Sequence, residues 1–146
     1  MTLIGSLIES QMKVARVTVT FDGTAGGGEA ATAVPVFTVT GEVMVVALMP
    51  YCVTLLTETG GTATVALGIT GSTSLFIAAT GAIGIDANEF WVDTAPDPNG
   101  VLLPAALKDV LLTDNVIMTV ATADIDSGAI EFTCYYLPIS LDGAVA

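Results

Sequence analysis

Acid–base, nucleophilic or metal chemistry needs histidines, close carboxylate pairs or thiolates, and this sequence has no histidine and two cysteines in 146 residues. The carboxylates nearest each other along the chain are Asp86 with Glu89 and Asp124 with Asp126. A hydrolytic pair must stand roughly 5–10 Å apart across a substrate. Both pairs fall in turn-like segments, where Asp bonds its own backbone, so they read as turn formers and solubilising groups. A small hydrolase using Asp86 or Glu89 is an alternative, but the chain reads as a non-enzyme with no catalytic residue.

Asp93, Asp97 and Asn99 share one Pro/Gly loop, and Asp124-Ile-Asp-Ser-Gly matches part of a calcium loop. Neither supplies ligands over twelve residues ending in a bidentate Glu, so no metal is assigned. Gly26-Gly27-Gly28 lacks the Lys-Ser/Thr and the helix that would aim amides at a phosphate, and reads as a mobile loop. No cofactor is expected. Cys52 and Cys134 lie on separate apolar segments and read as buried thiols; a disulfide requires their strands to be neighbours. Phe90 and Trp91 could offer a sugar-stacking platform, but alternation along a strand sends one of them inward.

The elements that would position these groups are strands. Twenty Thr, abundant Val and Ile, fifteen Gly and six Pro make short strands punctuated by turns. Val17, Val19 and Phe21 form the inner face of a first strand, and Asp22 to Glu29 follow as a loop. Val34 to Thr40 is a strand. Glu42 to Met49 is another, with Val43, Val45, Ala47 and Met49 on one side and Met44, Val46 and Leu48 on the other, broken at Pro50-Tyr51-Cys52. Further strands are expected over 53–56, 62–69, 75–79, 89–92, 110–113, 115–122 and 129–139. The last places Ile130, Phe132, Cys134 and Tyr136 on one side. A short helical turn is allowed within Val101 to Leu107, Asp124 to Gly128 is expected as a hairpin turn, and Asp142 to Ala146 as a frayed tail. The sum is an all-β fold, a single-domain β-sandwich or jelly roll over residues 13–146, preceded by an N-terminal arm over residues 1–12. By surface scaling its native area would be roughly 7,000 Å².

Lys13, Arg16 and Lys108 are the only cations on a chain of formal charge −12. Three scattered cations cannot neutralise a run of phosphates or meet an anionic bilayer, so neither nucleic acid nor a membrane is expected as a partner. The run between Glu58 and Asp86 is uncharged but too rich in Gly and Thr for a spanning helix. The N-terminus has no basic region of the signal-peptide kind, so synthesis in the cytosol is expected.

What remains is more apolar surface than one small core absorbs, at 53% hydrophobic residues. Both faces of the 42–49 strand and the arm require cover, and symmetric self-association provides it. The candidate interface residues are Leu3, Ile4, Leu7 and Ile8 of the arm with Met44, Val46 and Leu48. The arm could pack on its own domain or on another chain.

Arg16-Val-Thr-Val-Thr-Phe-Asp-Gly-Thr-Ala-Gly, Gly41 through Pro50-Tyr-Cys, Ala63-Thr-Val-Ala-Leu-Gly-Ile-Thr-Gly and Ile85-Asp-Ala-Asn-Glu-Phe-Trp together resemble small virion proteins of tailed bacteriophages. The resemblance spans most of residues 13–140. It implies a head decoration, or cement, protein: an all-β subunit on the capsid exterior, often a trimer, that reinforces contacts between major capsid proteins. It would be made in the host bacterial cytoplasm and end on the virion surface. The alternative is a tail or fibre module that binds a receptor or carbohydrate.

Overall fold

The computed structural model describes residues 11–146, so Leu3, Ile4, Leu7 and Ile8 lie outside the described residues. Twelve strands follow: β1 (Lys13–Thr20), β2 (Ala33–Phe37), β3 (Val39–Thr40), β4 (Val43–Glu58), β5 (Thr64–Ile69), β6 (Ser72–Gly81), β7 (Glu89–Phe90), β8 (Asp97–Pro98), β9 (Lys108–Leu112), β10 (Val116–Ala121), β11 (Ile125–Pro138) and β12 (Ala144–Val145). The fold is all-β. Two 3-10 turns, Ala82–Gly84 and Ala105–Leu107, add the helical content, and the second starts directly after Pro104.

Six strands form one antiparallel sheet in the order β1-β11-β4-β7-β8, with β9 also paired to β4. The strand β4 is long enough to carry two partners along one edge: β9 takes Val43 to Ala47 and β7 takes Tyr51 and Cys52. Four strands form a second sheet in the order β2-β10-β5-β6. The inner faces meet in one core, with Val45, Leu48, Phe132 and Cys134 from the large sheet and Val65, Leu67, Met118 and Val120 from the small one. Alternating apolar residues on strands of both sheets produce this two-layer packing, because period-2 patterning leaves each sheet one face to bury. The accessible area is 7201 Å², as expected for a chain this size.

Trp91 ties the layers together. It is fully buried, its backbone N–H donates to the Pro50 carbonyl of β4, and its indole N–H donates to Thr80 Oγ1 of β6 at 3.0 Å. The C-terminus adds a seam, since β12 pairs with β3 and the chain ends on reciprocal bonds between Ala146 and Thr38. The expected frayed tail is therefore docked, with Val145 buried in the core.

Four further expectations are corrected. Pro50 does not break the strand: β4 runs unbroken from Val43 to Glu58, and Pro50 is buried within it. Asp22 to Glu29 is a hydrogen-bonded loop, in which Asp22 N and Gly23 N donate to the Gly27 carbonyl and Asp22 accepts from Thr24 N and Oγ1. Gly28, at φ +120, is buried there, and a Cβ on it would collide with the Ile125 carbonyl. The expected turn at Asp124 to Gly128 is mostly strand, because β11 begins at Ile125; the reversal lies just before it, where Thr122 has φ +76. Gly128 has the positive φ expected of it (+115) for another reason, as it sits in a run of register shifts against the Leu55 backbone.

The fourth correction concerns Leu48. Tyr135 and Tyr136 of β11 pair with Ala47 and Val45, which leaves Val46 as an extra residue bulged out of the β4 ladder. One extra residue inverts the facing of everything after it. Val43 and Val45 face inward, but so do Leu48 and Cys52, while Met49 and Tyr51 go outward with Met44. Leu48 is 0% exposed and is therefore a core residue, not one presented on the surface.

Candidate functional site

Four of the carboxylates singled out for chemistry accept hydrogen bonds from nearby loop or turn groups. Glu89 accepts from Asp86 N, Asp93 from Ala95 N, Asp124 from Ala30 N and Asp126 from Thr59 Oγ1. Asp124 and Asp126 thus pin loops at one end of the sandwich, and Asp97 lies in β8. Thr24 holds the Asp22 carboxyl below the ordinary 3.8, through its hydroxyl first and its N–H second. Among the described residues no three His, Cys, Asp or Glu side chains converge as metal ligands.

Both cysteines are free and buried. They lie on paired strands, but Cys52 faces Ile130, four residues from Cys134 along β11. That offset is roughly 13 Å along a strand, well beyond disulfide reach. Burial pushes the Cys134 thiol up to about 12. It pushes Cys52 up to about 11, aided by the charges of Glu89 and Asp86 against a Thr54 contact that lowers it. Neither is a nucleophile at neutral pH.

The outer face of the large sheet carries the remaining recognition chemistry. Alternation along β1, β11 and β4, with the bulge at Val46, sets it. The pairs Arg16 with Thr133 and Thr133 with Met49 make one row across the three strands, and Thr18, Glu131, Tyr51 and Phe90 make the next. All of these except Thr18, together with Tyr135, line a shallow groove of about 450 Å³. Tyr51 and Phe90 meet edge to face with ring centres 5.0 Å apart, and the Tyr51 hydroxyl reaches Asn88 Oδ1 at 3.4 Å. The Phe90–Trp91 expectation holds: Trp91 is core and Phe90 is partly exposed.

Toward the start of β4 the same face becomes apolar. Met44 stands between Leu137 and the 71%-exposed Leu111, with half-buried Val46 close by. Past the strand ends, Ile139 joins Leu111 beside a second groove of about 310 Å³. The structure thus brings Met44 and Val46 to one end of the sheet and sends Leu48 inside. Sequence reading did not identify Arg16, Tyr51, Glu131 or Tyr135. Alternation places Arg16, Glu131 and Tyr135 on outer faces, but only the bulge at Val46 turns Tyr51 outward, and nothing in the sequence says that β1, β11 and β4 are neighbours.

All three cations lie on strands of the large sheet, Lys13 and Arg16 on β1 and Lys108 on β9. The strand β1 ends that sheet and β2, with Pro35, ends the other. Charge on one edge and proline on the other are devices that discourage edge-to-edge pairing.

No protein-family model and no curated protein matches the chain. Among solved structures, a chain of the "Cyanophage Pam1 capsid asymmetric unit" is similar over 87% of this chain and 85% of that one, at 22% identity and a TM-score of 0.52. This chain shares its fold with a protein of that assembly.

Proposed function

We propose that this chain is a non-enzymatic structural protein of a tailed-phage virion, a head decoration subunit bound to the outside of the capsid as a symmetric oligomer, with a trimer favoured. The observation that carries the proposal is the fold shared over most of both chains with a component described as part of a cyanophage capsid. The resemblance in sequence and the apolar end of the large sheet's outer face support it. The partners are further copies of this chain and the major capsid protein, and the location is the virion surface.

Met44 and Val46, with Leu111 beside them, are the residues assigned to contact between copies. Leu3, Ile4, Leu7 and Ile8 are assigned to contact with the shell or the neighbouring subunit. The mechanism is mechanical. A subunit that binds only the assembled shell stabilises it by linkage, and the gain repeats at every site. The charge of −12 keeps the free subunit soluble while such apolar surface is exposed.

Light scattering coupled to size exclusion tests the assembly, with a mass three times 14.8 kDa expected. A monomer at micromolar concentration refutes the oligomer. Deleting residues 1–12 is expected to abolish shell binding and leave the sandwich folded, and undiminished binding refutes the arm's role.

A further inference from the structure

The groove on the outer face of the large sheet has a different chemistry from the apolar end beside it. Its floor is β11 and β4, strands paired on both sides, so their main chains have no free ladder to offer an added peptide strand. Recognition there must come from side chains. Tyr51 and Phe90 supply aromatic surface, with Tyr135 on the same lining. Arg16 supplies donors, Glu131 supplies acceptors, and the Thr133 and tyrosine hydroxyls supply both.

Arg16 and Glu131 are exposed diagonal neighbours on adjacent strands, so their charges offset each other locally. A phosphate or sulfate would meet one cation beside one carboxylate on a chain of charge −12, which opposes anion binding. A purely apolar ligand would have to strip water from the Arg and Glu without replacing their hydrogen bonds. A neutral ring with one C–H face and a rim of hydroxyls fits both requirements and can lie on a shallow, open groove of this kind.

We infer that this groove binds a neutral sugar residue, stacked on the aromatic surface of Tyr51 and Phe90 and hydrogen-bonded by Arg16, Glu131 and Thr133. Asn88 would steady the Tyr51 hydroxyl. The inference rests on the groove alone and stands whether or not the chain decorates a capsid.

The test is saturation-transfer NMR from the full chain to glucose, galactose, mannose and N-acetylglucosamine at millimolar concentration, with a glycan array of neutral and anionic structures alongside. Saturation transfer to at least one neutral sugar is expected. Arg16→Ala and Tyr51→Ala should each weaken it roughly tenfold, the scale of one charge-assisted or stacking contact. Because Arg16 is exposed, its variant should keep the parent's melting point and Trp91 emission, which separates lost binding from lost folding. Silence from all four sugars and the array overturns the inference, as does a response confined to anionic glycans. Binding that survives both substitutions also overturns it, by placing the sugar elsewhere.

Discussion

Replacing Thr80 by Val removes the acceptor of the Trp91 indole N–H and keeps the side chain's size. Thr80 is 2% exposed and Trp91 is fully buried, so neither water nor, without repacking, another side chain can take the vacated place. An unpartnered buried donor costs about 1–3 kcal/mol. For a chain of this size each kcal/mol moves the melting point by about 3 °C, so Thr80→Val should lower it by roughly 3–9 °C. Thr80 Oγ1 also bonds the Ala78 carbonyl, but Ala78 is exposed and water replaces that bond at little cost. Thr80→Ser keeps the acceptor and loses one methyl, a loss of about 1 kcal/mol. Thermal melts by circular dichroism measure both variants. The single tryptophan reports the local state, and its emission should stay that of a buried indole in both. A Thr80→Val melting point equal to the parent's, or a Thr80→Ser variant less stable than Thr80→Val, would refute the claim that this bond joins the two sheets. In a Trp91→Phe background the same Thr80→Val change should cost much less, since no donor remains to be stranded.

Gly28→Ala should destabilise the fold by about 1–3 kcal/mol or more, since φ +120 is strained for Ala and its Cβ collides with the Ile125 carbonyl; urea unfolding measures it. Gly26→Ala, at φ +77 but with open space around it, should cost less. Both thiols should resist a thiol reagent in the native state and react fully in denaturant. Their folded values, about 11 and about 12, lie above the ordinary 9.0, so the folded state retains protons that the unfolded chain releases. Their contribution to stability is thus complete below pH 9.0 and declines as pH rises through about 11 and then about 12, which urea melts at increasing pH detect. In the proposed oligomer, Met44→Glu should bring the native mass down to one chain; an unchanged oligomer would remove Met44 from the proposed interface.

Much of the fold was legible because alternation is a local property. The run Ile130, Phe132, Cys134, Tyr136 and the run Val17, Val19, Phe21 read correctly as inner faces, since the alternation keeps its phase over those residues. The phase of β4 did not read correctly. A bulge at Val46 is a matter of how β4 meets β11, and no residue type in 43–49 announces it. The Gly-rich loop was misjudged for a related reason. Its Gly28 meets a close approach of the Ile125 carbonyl that exists only once β11 is in place. The docked C-terminus was missed because Ala144 and Val145 make a strand only through β3. The groove was hidden because Arg16, Tyr51, Phe90 and Glu131 come from four strands scattered along the chain.

The most direct test of the proposed role is co-sedimentation of the purified protein with assembled shells of the virion to which the proposal assigns it, with shell melting followed in parallel. The account predicts saturable binding to assembled shells, little binding to unassembled capsid protein, and a shell melting point that rises with occupancy. Shells that leave the protein in the supernatant at saturating concentration would contradict it.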